Sequence, residues 1–201
     1  GVEIKINPDG EILIRSRGVM KCYWKNPEAT TEIIDKDGWF YSGDIGKFDS
    51  EGRLMITDRK KEIFKLSNGK YVAPQSIENM LKESVFIDTA MVIGEGEKFT
   101  SALISPNTDA LKTLANDFKL NGDRSELIQS KEVYACFKRI VDDFNRSLGD
   151  DEKVKRFRLV AEEWTPDNGL LSPTLKLKRK VLMKKYENEV NEIFRKNTET
   201  V

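Results

Sequence analysis

The 201 residues predict an α+β protein in two parts, β-rich over residues 1–58 and mixed over residues 59–201. Three observations predict it. Up to residue 58, apolar residues alternate with polar ones and turn sequences punctuate them, the pattern of half-buried strands. After residue 59, apolar residues also recur at steps of three and four, the spacing of one helix face. Between the two patterns sits the basic run Arg59-Lys60-Lys61, where the composition changes and a domain boundary is expected.

In chain order, Val2, Ile4 and Ile6 face Ile12 and Ile14 in a predicted hairpin about Asp9-Gly10, a dipeptide suited to a tight turn. Asn26 to Thr31 predicts a short helix or turn, because Pro27 fits a first helical position. Trp39 to Phe48 and Arg53 to Thr57 predict a second hairpin about the turn Asp49 to Gly52. Ile63 to Leu66 predicts a short strand, Ser67 to Lys70 a turn, and Pro74 a helix with Ile77, Met80 and Leu81 on its apolar face. Strands are expected at Thr89 to Ile93 and Ser101 to Ile104, about the turn Gly94 to Glu97. Leu111, Leu114, Ala115 and Phe118 share one predicted helix face. Val133, Phe137, Ile140, Val141, Phe144 and Leu148 share another. Phe157 to Ala161 predicts a strand, and Leu182, Tyr186, Val190 and Ile193 the buried face of one last helix. The second part is thus a short sheet flanked by helices. Gly1 leads straight into a strand, so the chain is expected to begin inside a larger domain.

Composition narrows the chemistry. A 38% hydrophobic content suits a soluble globular protein, and 34 basic residues balance 34 acidic ones, so no global field favours nucleic acid. No apolar run approaches the roughly 20 residues of a transmembrane helix. Without a leader either, a cytoplasmic location is expected, with peripheral membrane contact left open. The chain has no histidine, which excludes a histidine metal site and a Ser-His-Asp triad, and its 2 cysteines, Cys22 and Cys136, lack metal or redox spacing. No metal site is expected within these residues. Trp24, Trp39 and Trp164 are expected to be packing residues.

Catalysis would therefore run on lysine, arginine, aspartate, backbone amides or a bound cofactor. Tyr41-Ser42-Gly43-Asp44 sets a carboxylate just after a glycine, where the backbone can turn sharply and a ligand can approach closely. Its two acceptor oxygens match paired hydroxyls such as those of a ribose, although taken alone it reads more readily as an aspartate satisfying a turn. Arg59, at the end of a predicted strand, carries a fixed fork of donors suited to ribose and phosphate oxygens. Lys176 sits in the loop Pro173-Thr174-Leu175-Lys176-Leu177-Lys178-Arg179, where a mobile ammonium can meet developing negative charge. At about 4 Å and an effective dielectric of about 20, such a contact is worth roughly 4 kcal/mol. The competing reading makes Lys176, Lys178, Arg179 and Lys180 the start of a basic amphipathic helix.

Two stretches, GWFYSGDIGKFDSEGRLMITDRKKEIFKLSNGKYVAP from Gly38 to Pro74 and NGLLSPTLKLKRK from Asn168 to Lys180, resemble the acyl-adenylate-forming (AMP-binding) superfamily, and within it the long-chain fatty acid:CoA ligases. The resemblance implies that Asp44 and Arg59 hold the ribose of ATP, with Ser42 where the family motif has threonine. It implies that Lys61 is a hinge and that Gly69 lets the Ser67 to Lys70 turn approach the pantetheine of CoA. Lys176 takes the catalytic lysine position, and Leu175 departs from the glycine of the general P-x-G-K-x-x-R pattern. Residues 1–58 are then the β-rich end of a large N-terminal domain, part of a β-barrel, and residues 59–201 the small mobile C-terminal domain. The implied partners are fatty acid, ATP, Mg2+ with ligands mostly outside this chain, CoA, and the missing N-terminal domain of the same polypeptide. The implied reaction forms acyl-AMP and then acyl-CoA, and the fragment alone is expected to be inactive. An acyl-AMP ligase that loads a carrier-protein thiol, and a non-enzymatic nucleotide- or partner-binding module, are the alternatives.

Overall fold

Alternating strands and tight turns build the first part of the molecule. The computed structural model describes residues 1–195 and divides into two compact units, Gly1–Ile63 and a second that starts at Phe64. In the first unit, β1 (Glu3–Ile6), β2 (Glu11–Arg15), β3 (Phe40–Phe48) and β4 (Leu54–Arg59) form an antiparallel sheet in sequential order. The first turn closes through Gly10 N donating to Asn7 O at 2.8 Å, with Gly10 in the left-handed region at φ +86. At the second, the Asp49 carboxylate accepts the Glu51 and Arg53 amides, each at 2.9 Å. Between β2 and β3 lies α1 (Pro27–Ile33), with Pro27 in its first turn and Asn26 capping Ala29 N at 3.0 Å. Gly46 is required where the sheet is tightest, because a Cβ there would stand 2.5 Å from Met55 O and 2.6 Å from Ile12 Cδ1.

The second unit opens with β5 (Phe64–Lys65) and β6 (Tyr71–Val72), a short hairpin about the Ser67 to Lys70 turn. Next come α2 (Pro74–Leu81), β7 (Ile87–Ile93), β8 (Ser101–Pro106), α3 (Thr108–Asp117), α4 (Arg124–Leu127), α5 (Lys131–Asn145), β9 (Arg156–Leu159), α6 (Arg179–Lys185) and α7 (Glu187–Phe194). β7 and β8 pair antiparallel, β8 and β9 parallel. A parallel pair needs a crossover, and α3, α4 and α5 supply it.

Successive strand residues feed two cores, as the two-residue period of a strand requires. Ala90, Val92, Ala102 and Ile104 join Ile77, Leu81, Val133 and Phe137 on one face of the sheet. Met91, Ile93 and Leu103 join Trp164, Leu182, Tyr186 and Val190 on the other. The α+β class expected from the sequence holds.

Several side chains depart from expectation. Met80 is only half-buried, and the buried face of α2 is Pro74, Ile77, Glu78 and Leu81. Phe118 is exposed, since α3 ends beneath it and it serves as the C-cap. The single last helix is two, broken at Tyr186 (φ −103, ψ 27), yet Leu182, Tyr186, Val190 and Ile193 are all buried as expected. Trp164 is a packing residue, donating from Nε1 to the Tyr186 hydroxyl at 3.1 Å, and Trp39 is half-buried. Trp24 is not, at 85% exposed. The sequence reading missed β6 and α4, although Asp123 and Glu126 spell out a capping box for α4.

Candidate functional site

Two register shifts build the Asp44 corner. Between Leu13↔Tyr41 and Glu11↔Ile45, β3 carries Ser42, Gly43 and Asp44 opposite the single residue Ile12. Such a bulge frees backbone groups and re-aims side chains. Two side chains take up the freed polar groups: Ser42 Oγ donates to Ile12 O at 2.7 Å, and the Gly43 amide donates to Glu11 Oε1 at 2.9 Å. Gly43 itself lies at φ +73, a conformation that a side chain would strain.

A second shift, in β4, brings the arginine opposite. Gly46 pairs with Ile56 but Ile45 pairs with Asp58, so Thr57 is an extra residue in β4. Without it Asp44 would face Asp58. With it Asp44 faces Arg59, and Arg59 Nε stands 3.1 Å from Asp44 Oδ1. The Asp44 side chain is 25% exposed and that of Arg59 53%, so both remain open to a ligand. A carboxylate and a guanidinium side by side can take a vicinal diol from both sides, one accepting and the other donating.

Beneath this pair lies a charged strut. Glu11, 3% exposed, accepts Lys60 Nζ at 2.8 Å, and the same ammonium reaches Asp9 Oδ2 at 2.7 Å. The Lys60 amide donates to Gly43 O at 2.8 Å, so both backbone groups of Gly43 are held by this network. Hydrogen bonds to Asp9 and then Glu11 push the Lys60 pKa up to about 12, and the bond from Lys60 holds the Asp9 carboxyl below its usual range. Lys61 follows, exposed, in a turn closed by Glu62 N and Ile63 N donating to Arg59 O at 2.9 and 3.2 Å. This turn ends the first unit.

In the second unit, the Ser67 to Lys70 turn is exposed and tethered. Leu66 N donates to Lys70 O at 2.8 Å, Ser67 N to Glu97 O at 2.9 Å, and Asn68 Nδ2 to Asp151 Oδ1 at 2.8 Å. Gly69 is at φ +87, and a Cβ there would meet only Lys65 Cε, at 3.7 Å. Backbone conformation rather than crowding calls for glycine at that position.

The Lys176 loop is a narrow hairpin. Leu171 and Leu177 bridge its neck, Lys178 N donates to Leu170 O at 3.0 Å, and Ser172 N donates to Lys176 O at 2.8 Å. Lys176 is exposed and its amide donates to Ser172 Oγ at 3.1 Å. Leu175 at the tip has φ +59, the left-handed region that favours glycine. The glycine of the general motif therefore answers a conformation that this chain imposes on a leucine. Helix α6 starts only at Arg179, so Lys176 belongs to the loop and not to a basic helix.

Asp44 and Arg59 are thus brought together, whereas Gly69 and Lys176 stand on separate loops of the second unit. Sequence reasoning missed Glu11, Lys60 and Glu78. A glutamate opening the apolar run of β2, and another between Ile77 and Leu81, were the available signals. Among the described residues no group of three or more Cys, Asp or Glu side chains is placed to hold a metal ion. No helix among them is long and apolar enough to cross a membrane.

Known proteins share this arrangement of segments. The chain is 35% identical over 198 residues to a long-chain-fatty-acid–CoA ligase of Mycobacterium tuberculosis, FadD15, covering 98% of this chain and 33% of that protein. It is 38% identical over 193 residues to the human long-chain-fatty-acid–CoA ligase 1, covering 92% of this chain and 27% of that one. It therefore spans about a third or less of these relatives. Among solved structures, the A domain of carboxylic acid reductase from Segniliparus rugosus, in complex with AMP and a co-purified carboxylic acid, superposes with TM-score 0.77 at 22% identity, covering 96% of this chain and 31% of that one, a likeness of fold. Residues 61–198 match the family described as the AMP-binding enzyme C-terminal domain, and the chain belongs to that family.

Proposed function

We propose that this chain is the C-terminal part of an ATP-dependent long-chain fatty acid:CoA ligase. The observation that carries the reading is the 35–38% identity to proteins named long-chain-fatty-acid–CoA ligases, which runs over 92–98% of the chain and so across both the Asp44–Arg59 pair and the Lys176 loop. In the first half-reaction the fatty acid carboxylate attacks the α-phosphorus of ATP, the bond to the β-phosphate breaks, and pyrophosphate leaves. Asp44 accepts from the ribose hydroxyls and Arg59 donates to the ribose or phosphate oxygens, which fixes the nucleotide. Lys176 contacts both the attacking carboxylate and the α-phosphate oxygen, where negative charge builds, an interaction strongest in the transition state. Magnesium would be held mostly by groups outside this chain.

In the second half-reaction the CoA thiol, losing its proton, attacks the acyl carbonyl and AMP leaves with the bonding pair. The second unit turns about Lys61, withdrawing Lys176 and bringing the Ser67 to Lys70 turn to the pantetheine. A turn closed by two bonds to one carbonyl can absorb such a change in backbone angles over few residues. The reading is tested on the full-length protein with ATP, CoA and acids of graded length. Acid-dependent release of AMP and pyrophosphate with acyl-CoA formation, greatest for long acids, is expected. No AMP with any acid contradicts it.

A further inference from the structure

A buried ion pair lies under the Lys176 loop. Glu78, on α2, is 5% exposed, an unusual depth for a glutamate. Its Oε1 accepts the Val92 amide at 2.7 Å, and its Oε2 meets Arg179 Nη2 at 2.8 Å. Arg179 Nη1 in turn donates to Val92 O at 3.4 Å. β7 is an edge of its sheet, so at Val92 the carboxylate and the guanidinium do together what a neighbouring strand would do. Burying two charges is a poor way to gain stability compared with an apolar pair, and is best attested where it fixes one arrangement against others.

The arrangement it fixes concerns both loops. Arg179 is the residue at which the Lys176 loop becomes α6. Glu78 sits in the helix that follows the Ser67 to Lys70 turn. That turn is tied to the turn just after β7, through Ser67 N to Glu97 O and Gly96 N to Lys65 O, each 2.9 Å. The two loops are mounted on one strand and the turn after it.

We propose that Glu78 and Arg179 are positioning residues for Lys176. The pair clamps the foot of the Lys176 loop to Val92 and to α2, so that the ammonium is held at a set distance from the Ser67 to Lys70 turn and the two segments move as one body. The inference rests on the reading of Lys176 given under Proposed function.

The test is acid-dependent ATP–pyrophosphate exchange by the full-length protein carrying Glu78→Gln, Arg179→Lys, Lys176→Ala, and Glu78→Gln with Lys176→Ala. A loosened foot displaces the ammonium, and a displacement on the order of 1 Å costs about a hundredfold in rate. Glu78→Gln is expected to lower kcat for exchange by roughly ten- to a hundredfold at nearly constant KM for ATP. Arg179→Lys, which keeps the charge but cannot span Glu78 and Val92 at once, should fall between it and the wild type. In the Lys176→Ala background Glu78→Gln should add less than about twofold, because its effect passes through the missing ammonium.

Effects that multiply independently, or losses in Arg179→Lys that only follow the folded fraction seen by circular dichroism, overturn the proposal. Exchange lost in Lys176→Ala but normal in Glu78→Gln overturns this proposal alone. Exchange unchanged in Lys176→Ala overturns the reading of Lys176 and this proposal with it.

Discussion

The Asp44 corner and the Lys176 loop solve opposite problems. Asp44 rides on a bulge whose backbone groups are taken up by Ser42, the buried Glu11 and Lys60, so the backbone that carries the carboxylate is fixed. Lys176 stands near an exposed tip, beyond a leucine in a left-handed conformation, and its loop is held through Ser172, at the neck and at the foot. Under the proposed function, a group that binds a nucleotide throughout the cycle gains from rigidity, while a group that acts in one half of it must be able to leave. The surroundings follow the same division. The first unit buries Ile12 and Leu13 fully, together with the charged Glu11 and Asp58, whereas the second packs apolar side chains on both faces of its sheet.

That contrast can be broken from either side. Phe137 is fully buried in the larger core, and Phe137→Ala should cost about 3–5 kcal/mol, enough to unfold much of the second unit. A denaturant titration followed by tryptophan fluorescence reads this through Trp164, and a loss under about 1 kcal/mol would remove the apolar core as the source of its stability. In the first unit the weak point is polar. Glu11→Ala leaves the Gly43 amide and the Lys60 ammonium without this partner, a loss of about 1–3 kcal/mol. In the full-length protein it should raise KM for ATP more than it lowers kcat, and equal falls in both would show that the strut does not serve Asp44.

High pH acts on both units. Hydrogen bonds to Asp9 and Glu11 raise Lys60 to about 12, against about 10.4 in an unfolded chain, so its contribution is fully present below about pH 10.4 and lost as pH rises through 12. Burial raises the Tyr186 phenol to about 12, against about 10 unfolded, so its neutral form favours the fold below pH 10 and that advantage is lost over the same climb. Thermal midpoints should therefore fall between about pH 10 and pH 12, and Tyr186→Phe should blunt the part belonging to the second unit. A midpoint in that variant with undiminished pH dependence would assign the effect elsewhere. Asp9 has the opposite sign: its lowered carboxyl stabilises above about pH 3.9, and this is lost as pH falls through its folded value.

The smallest effect belongs to the loop tip. Leu175 pays for its left-handed backbone, and Leu175→Gly removes that strain while adding unfolded-state entropy, for a net change within about 1 kcal/mol. Calorimetry of this variant should differ from wild type by only a few degrees, whereas Leu175→Val, branched at Cβ, should be clearly less stable.

Most of the scaffold is legible in the sequence because its signals are local. Asp9-Gly10 and Asp49 to Gly52 mark turns, and the apolar repeat of α5 marks its buried face. What escapes is decided at a distance. Glu78 interrupts an apolar stripe and reads as solvent-facing until Arg179, a hundred residues on, supplies its partner. Phe118 has the right spacing for its helix, but the helix stops first. The break at Tyr186 is a local turn of the backbone (φ −103, ψ 27) that no spacing encodes. At the candidate site the order Asp44, Arg59, Lys61 is readable and the resemblance sets Arg59 with Asp44, yet the register that pairs them is not, because Thr57 shifts it by one and turns Arg59 rather than Asp58 toward Asp44.

The central claim is that Lys176 serves one half-reaction and stands aside in the other. The direct measurement is single-turnover kinetics of the full-length protein, wild type against Lys176→Ala, with acyl-adenylate formation from long-chain acid and ATP timed separately from conversion of supplied acyl-adenylate to acyl-CoA. Adenylation is predicted to fall by about two to three orders of magnitude, as for loss of one transition-state donor, while thioester formation changes by no more than a few fold. An equal fall in both steps, or none in the first, would contradict it.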